Sequence, residues 1–454
     1  MIKKYEKYKE SGIEWLGEIP EHWKVLNFRY IIDVLTDFTS NGSFADLAKN
    51  VTYLESGYSR LVRLTDLREN LNNNGIFVSE ETHKYLSKST LYGDEVLLAN
   101  VGAYSGLACK VPHLDCPATL GPNMFLLKFK KELNNDFAFL SLNSEYLSIQ
   151  LKNKAISSAQ PKLNKEDVRT CFFVLPPVSE QTQISNFLDH QTAIIDDLIA
   201  QKEKLITLLK EKRQAIINEA VTKGLNPNTK MKDSGIEWLG EVPDKWIVSK
   251  IKFIASIKGR IGYKGYTKDD IVKEGEGALT LGAKHIDKEN NLNLSDPEYI
   301  TWDKYYESPE IMVKMNDVIF TQRGSLGKIC HICSDIGKAT INPSMVILTP
   351  LKILPRFLYF WLTANRIQTE VELLQSNTAV PMISQLQLSN FPVIIPPLEE
   401  QIKIVEHIDK SLEELKYLFD IYSDTISKLK EYRQSLISEA VTGKIDVREW
   451  KPNK

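Results

Sequence analysis

The chain has 454 residues, 43% hydrophobic and 26% charged, which is ordinary for a globular protein and enough for two to four domains with cores of their own. Its net charge of −2 and pI near 6.4 exclude a protein that coats DNA by charge alone, but not one with local basic faces. No apolar run approaches the roughly 20 residues of a membrane span. The N-terminal MIKKYEKYKES has no apolar core behind it, so no secretion signal is expected and the expected location is the cytoplasm.

From the N-terminus, residues 11–25 read SGIEWLGEIPEHWKV. The same phrase returns at 234–248 as SGIEWLGEVPDKWIV, with 11 of 15 positions identical, among them Trp15/Trp238, Pro20/Pro243 and Trp23/Trp246. A variable block follows each copy, at about 20–172 and 243–391. Both blocks are rich in Gly, Pro, Asn and aromatics, with short β-branched runs such as EVLL at 95–98, FLLKF at 125–129, DVIFT at 317–321 and MVIL at 345–348. These runs predict strands separated by turns, with helices expected over 136–152 and 356–374. The blocks have diverged but share a skeleton. Gly102…Gly106 corresponds to Gly324…Gly327, and 118–124 (ATLGPNM) to 339–345 (ATINPSM).

Each block ends in a second repeated phrase, PPVSEQTQI from Pro176 and PPLEEQIKI from Pro396. Residues 179–223 and 399–442 then lack Gly and Pro, and the stretches close on KEKRQAIINEAVT and KEYRQSLISEAVT before Gly224 and Gly443. Pro at the start and Gly past the end delimit two long helices. In the first, Leu188, Ile195, Leu198, Leu205, Leu209 and Ile216 fall on a/d-type positions. In the second, Ile408, Leu415, Leu418, Tyr422, Leu429, Tyr432 and Leu436 do. Each helix would be roughly 65–70 Å long, and its apolar stripe needs a partner. The other copy supplies one, as an antiparallel pair; the rival is that each helix packs on its own block. Lys202 and Lys212 weaken the first seam, although lysine can snorkel from such a site.

After a linker at 224–230 the cycle restarts at Ser234. The order is circular, because SGIEWLGE at the N-terminus stands to the second helix as Ser234 stands to the first. The repeat unit of about 220 residues is far longer than a solenoid repeat of roughly 20–50. It is a duplicated domain pair with an expected pseudo-twofold relation, which suits duplex DNA. The fold class is α+β: two mixed α/β globular blocks separated by two long antiparallel helices. Along the chain the division is 1–175 for the first block with its entry motif, then 176–224 for the first long helix. The linker and second block take 225–395, and the second helix with the tail takes 396–454.

Five cysteines in a chain of this kind suggest free thiols. Cys330-His331-Ile332-Cys333 is half of a zinc pattern with no second half. Cys109 aligns with Cys330 in what reads as a strand in both copies, so packing is the expected role and no metal is expected.

The entry motifs YKESGIEWLGEIPEHW and MKDSGIEWLGEVPDKW, the LPPVSEQ and IPPLEEQ at the helix starts, and the KEKRQAIINEAVT and KEYRQSLISEAVT at their ends resemble the specificity subunit of type I restriction–modification enzymes. The resemblance covers essentially the whole chain. It implies that each block is a target recognition domain for one half of a split DNA sequence. It also implies that the helices act as a spacer and dock two methyltransferase subunits, that those subunits carry S-adenosylmethionine, and that motor/nuclease subunits join through the same core.

Catalytic signatures are not found. Asn342-Pro343-Ser344-Met345 and Gly121-Pro122-Asn123-Met124 lack the second proline and aromatic of an adenine methyltransferase loop, and they read as turns at duplicate positions. The glycines of 259–265 lack phosphate-loop spacing, and Pro243-Asp244 belongs to the repeated entry phrase. The chain is therefore expected to be a non-catalytic DNA-reading subunit. Base reading needs Arg, Lys, Asn or Gln side chains aimed into a groove, with hydroxyls and further cations on phosphates. The inter-strand loops offer Arg60, Arg63, Asn100, Tyr104 and Ser105 in the first block. In the second they offer Lys264, Lys284, His285, Gln322, Arg323 and Ser325. The rival reading is a two-headed coiled-coil scaffold without DNA contact. It gives no reason for heads that diverge on an unchanged frame.

Overall fold

A computed structural model describes residues 3–155, 161–260, 265–374 and 382–452. Lys264 therefore lies outside the described residues. The chain divides into two compact units, residues 1–202 with 424–454, and residues 203–423. Each long helix contributes a segment to both.

The first unit is built on a four-stranded antiparallel sheet in the order Ile32–Asp37, Met124–Phe129, Val96–Ala99, Ala108–Lys110. Beside it lies a second sheet in the order Phe77–Val78, Ser59–Val62, Ala118–Leu120, Thr90–Leu91, whose central pair is parallel. The second unit repeats the plan. Ala255–Gly259, Met345–Leu351, Val318–Thr321 and Ile329–His331 form its antiparallel sheet. Its other sheet has the parallel pair Gly277–Leu281 and Ala339–Ile341 at one side.

The unbroken apolar runs have a physical reason, since the main sheet of each unit is covered on both faces. In Val318–Thr321 the side chains alternate between two cores. Val318 and Phe320 join Phe357, Leu358 and Trp361 of helix Pro355–Thr363, while Ile319 joins Leu279, Leu281 and Ile341 of the second sheet. Cys109 and Cys330 occupy the same strand position, opposite Leu97 and Ile319. Cys330 is buried, and burial pushes its thiol up to about 12, while Cys333 is exposed.

The helices expected over 136–152 and 356–374 are each broken in two, as Asn135–Leu142 with Glu145–Ala155, and Pro355–Thr363 with Asn365–Leu373. In the first case Asn143 caps the end of the first helix. Its Nδ2 donates to the Ala108 carbonyl at 3.0 Å and its Oδ1 accepts from the Ala108 N–H at 3.2 Å, which ties the break to the sheet edge. In the second, Ala364 turns to extended backbone.

The long helices run Val178–Lys223 and Leu398–Val441. They are antiparallel within each unit. In the first, Gln183 reaches the Trp450 carbonyl at 2.6 Å, while thirteen residues further on Asp196 accepts from Arg433 at 2.8 Å. In the second, Lys210 lies 5.9 Å from the Phe419 ring, and beyond the helix end Gly224 faces Glu400 and Trp246.

Of the seam residues expected from sequence, Leu188, Ile195, Ile408, Leu415 and Leu436 are buried, and Leu205, Leu209, Ile216, Tyr422 and Leu429 are half-buried. Leu198, Leu418 and Tyr432 are not on the seam. They are 39%, 37% and 51% exposed. Their places are taken one residue later by Ile199, half-buried Phe419 and half-buried Arg433, with Ile426 a heptad from Phe419. The helices carry apolar residues at adjacent positions, such as Leu198-Ile199 and Leu205-Ile206, so two phases of the 3–4 alternation fit the sequence equally. Packing selects one of them.

The repeated motifs hold the joints. In the first unit Trp23 donates its indole N–H to Glu180 at 2.9 Å. The same carboxylate accepts from the Tyr5 hydroxyl at 3.1 Å and lies 2.6 Å from His22 Nε2. In the second unit Trp246 donates to Glu400 at 2.9 Å. The adjacent Gln181 and Gln401 each donate to the carbonyl of the first proline of their PP pair, at 2.8 Å, and accept from the N–H of Asn134 and Leu354, where the chain enters helices Asn135–Leu142 and Pro355–Thr363 of the block. Gly443, at φ +76, closes the circle. A Cβ there would stand 2.3 Å from Pro20 Cδ, so only glycine lets the end of the second helix meet the N-terminal entry motif. Lys444 then donates to the Glu18 carbonyl at 2.6 Å and Tyr8 to the Gly443 carbonyl at 3.2 Å.

Glu180→Ala strands two buried donors, at about 1–3 kcal/mol each, whereas Glu400→Ala strands one. Thermal unfolding is expected to show the larger fall for Glu180→Ala. Equal falls would mean that Tyr5 and His22 add nothing to this joint.

Candidate nucleic-acid interface

In each unit a glycine-bounded loop leaves the same strand of the main sheet: 100–106 after Val96–Ala99, and 322–327 after Val318–Thr321. Backbone pairing makes the two loops equivalent residue by residue at their start. The Asn100 N–H bonds the Asn123 carbonyl and the Gln322 N–H the Ser344 carbonyl. The Asn100 carbonyl accepts from Leu163 and the Gln322 carbonyl from Ile383. Val101 bridges Lys162 where Arg323 bridges Met382. Asn100 and Gln322 are thus counterparts, and the second loop is shorter by one residue between its glycines.

The candidates separate into two groups. Gln322, Arg323 and Ser325 share one loop, with Arg323 and Ser325 exposed, and Arg323 Nε lies 3.0 Å from Met382 Sδ. Asn100, Tyr104 and Ser105 share the other. Tyr104 is 46% exposed with the Arg68 guanidinium 4.5 Å from its ring centre, whereas Asn100 and Ser105 are buried, with Asn100 Oδ1 and Ser105 Oγ unpartnered among the described residues.

The remaining candidates are occupied elsewhere. Arg60 donates to the carbonyls of Leu71 at 2.8 Å and Asn73 at 3.2 Å. Arg63 forks onto buried Asp66 at 3.0 and 2.9 Å; burial opposes the charge on Asp66, but these bonds hold its carboxyl below the usual range. Both arginines staple their own loop. Lys284 is paired with Asp296 at 2.8 Å and Glu298 at 3.3 Å. His285 is 1% exposed, accepting from the Gly282 N–H at Nδ1, with Nε2 3.0 Å from the Asp296 carbonyl. It fills a turn and reads nothing.

The structure adds cations that sequence reasoning passed over. Beside the first loop, Lys162 is exposed on the bridging segment, and Lys165 binds Asp37 at 3.1 Å and Ser40 at 3.0 Å. Lys88 reaches the Ser40 carbonyl at 3.1 Å. Arg68 lies over Tyr104, Lys162 bridges Val101 at the start of the loop, and Lys88 and Lys165 meet at Ser40. Their only sequence signal was position, since Lys162 and Lys165 follow the first block's last variable stretch. In the second unit Gln385 takes the place of Lys165, packed where Gly259 replaces Asp37. The loops therefore share a frame, an amide and a serine but differ in the rest: Val101 and Tyr104 with cations alongside in one, Arg323 in the other.

The strings examined for methyltransferase chemistry are turns. Asn342 Oδ1 accepts from the N–H and hydroxyl of Ser344 at 3.0 and 2.6 Å, and Asn123 takes φ +66 at the matching corner. Among the described residues no group of three or more His, Cys, Asp or Glu is placed to hold a metal, and no helix is long and apolar enough to cross a membrane.

The model of the type I restriction modification DNA specificity domain matches residues 38–208 and again 243–417. Similar proteins include the type I restriction enzyme MjaVIII specificity subunit of Methanocaldococcus jannaschii, 25% identical over 97% of each chain. The EcoBI specificity subunit of Escherichia coli is 24% identical over 74% of this chain and 71% of its own. The HsdS subunit from Thermoanaerobacter tengcongensis shares the fold with a TM-score of 0.52 at 16% identity, covering 94% of this chain and 98% of its own. A chain from a structure of type I R-M complex assembly reaches 0.71 at 16% identity, covering 94% and 99%. Two matched domains, set on two equivalent frames with different loops, carry the conclusion: the chain belongs to the type I restriction–modification DNA specificity family and is its DNA-target recognition subunit.

Proposed function

We propose that each unit reads one half of a bipartite DNA target, through loop 100–106 with its neighbouring cations in the first unit and loop 322–327 in the second. The observation that carries this is the equivalence of the loops in position and their difference in chemistry. Phosphate contacts by Arg68, Lys88 and Lys162 would set register, and amide or guanidinium groups such as those of Gln322 and Arg323 would specify bases. Asn100 and Ser105 become available only if their loop opens toward DNA.

The chain itself is non-catalytic in this reading. Two methyltransferase subunits, carrying S-adenosylmethionine, flip and methylate the target adenines, and restriction/motor subunits join the same core in the cytoplasm. The long helices set the spacing and dock the methyltransferases. The outer residues Ile194 and Leu198 in the first unit, and Leu208, Tyr417, Leu418 and Ile421 in the second, are exposed apolar groups suited to that role.

Co-expression with the methyltransferase subunit of its own system, followed by sequencing of methylated host DNA, tests the reading. The expected result is adenine methylation at one motif with two specified halves and an unspecified gap. A continuous motif, or methylation by the chain alone, would contradict it.

A further inference from the structure

The two joints between entry motif and long helix are built alike and filled differently. Backbone pairing sets the correspondence. The Lys7 carbonyl accepts from the Glu21 N–H at 3.1 Å, and the Lys230 carbonyl from the Asp244 N–H at 2.8 Å. Two residues back from each lysine, Tyr5 in the first joint stands where Asn228 stands in the second.

Tyr5 plugs the first joint. It is 5% exposed, its ring lies edge-on to Trp23 at 5.6 Å, and its hydroxyl donates to Glu180. The end of the chain holds it there. The Arg448 guanidinium lies 4.9 Å from the ring centre, and the Trp450 carbonyl accepts from Gln183. Both carboxylate oxygens of Glu180 are engaged, one by Trp23 and Tyr5, the other by His22.

The second joint has no such plug among the described residues. The linker between Lys223 and Met231 passes here, and Asn228 on it is exposed. A cavity of about 590 Å³ stands in its place, with Leu225, Pro243, Trp246, Pro397 and Glu400 in its lining. Glu400 accepts the Trp246 indole N–H at Oε2, and no described residue bonds its Oε1. Where His22 meets the first carboxylate, the second copy has Lys245, which forms no ion pair with Glu400.

The lining selects the occupant. Walls of proline, leucine and tryptophan fit a flat ring, and the free carboxylate oxygen asks for one donor. A ring without a hydroxyl would shut that oxygen off from water unpaired, and a phosphate would be repelled by Glu399 and Glu400. The first joint shows the combination that satisfies both demands, in Tyr5.

We infer that the cavity over Glu400 is a socket for a tyrosine presented on an exposed segment of another protein, its hydroxyl donating to Glu400 as that of Tyr5 donates to Glu180.

A labelled synthetic peptide of residues 1–7, MIKKYEK, whose one tyrosine is Tyr5, tests this by fluorescence anisotropy with the full chain. One peptide should bind per chain, saturably, and Tyr5→Phe in the peptide should weaken it roughly tenfold. Glu400→Gln in the chain keeps an acceptor for Trp246, so its melting should be unchanged while peptide binding falls by a similar factor. The two changes together should cost no more than either alone, because they remove the same bond. Glu180→Gln should leave peptide binding as it was. No saturable binding, losses that simply add, or a loss caused by Glu180→Gln in place of Glu400→Gln would each overturn the inference. Dimers of the unmodified chain that Glu400→Gln dissociates would overturn it too, by giving the tyrosine to a second copy.

Discussion

Replacing residues 20–172 with the corresponding block of another family member is expected to change one half of the methylated motif and leave the other half and the gap as they were. The reason lies in how the first unit is assembled. Its main sheet and second sheet are closed within residues 32–129, and strand Lys24–Asn27 pairs with Phe172–Leu175, so that entry and exit of the block sit side by side. The block is joined to the frame in part by repeated chemistry, Trp23 on Glu180 and Gln181 on the chain at Asn134, which a related block can supply. The effect should be large. Each mismatched base pair costs about 1–3 kcal/mol, so two or three altered positions remove modification of the old motif by roughly a hundredfold or more. Methylome sequencing reads both halves at once. A change in both halves would mean that the units do not read independently.

A matched insertion of seven residues into both long helices is expected to lengthen the gap while leaving both half-sites intact. The helices must be lengthened together. Asp196 meets Arg433 in one unit and Lys210 meets Phe419 in the other, so the two helices run side by side within each unit. Seven residues preserve the 3–4 stripe through Ile195, Ile199, Leu415 and Ile426. They add about 10 Å, on the order of three base-pair steps at about 3.4 Å each. A gap of unchanged length in a stably folded variant would end the idea that the helices act as a ruler. A one-residue insertion in a single helix is the contrasting case, because it turns Ile199 or Ile426 off the seam.

Membership of the specificity family decides against the two-headed scaffold, and it does so through the feature that made a scaffold hard to credit. The frame is the same in both units down to the strand position of Cys109 and Cys330, yet Lys165 on Asp37 has become Gln385 against Gly259. Such divergence at equivalent places is what two different readings require.

Repeats, helix limits and motif order were legible in the one-dimensional pattern because their signals are local. Pro and Gly bound the long helices, the 3–4 alternation shows that they need a partner, and the duplicated phrases show where each block begins. Local pattern also left ambiguities. Leu198 and Ile199 are both apolar, and only the packed pair shows that Ile199 is inside. Arg60 and Arg63 looked free for DNA, but the carbonyls of Leu71 and Asn73 and the Asp66 carboxylate claim them. His285 looked like a reader until the turn at Gly282 closed around it. Lys162 and Lys165 carried no signal beyond their position, because the partners of Lys165, Asp37 and Ser40, lie more than a hundred residues away.

By itself the sequence determined that this protein is a circular duplication of block and helix, since periodicity and repetition do not depend on what lies nearby in space; that it reads DNA in two parts was implied by the family its repeated phrases resemble. The tertiary structure decided which phase of each helix is buried, which cations remain available beside the recognition loops, and which repeated residues stay exposed. Those outcomes depend on burial and on hydrogen-bond partners brought together from distant parts of the chain.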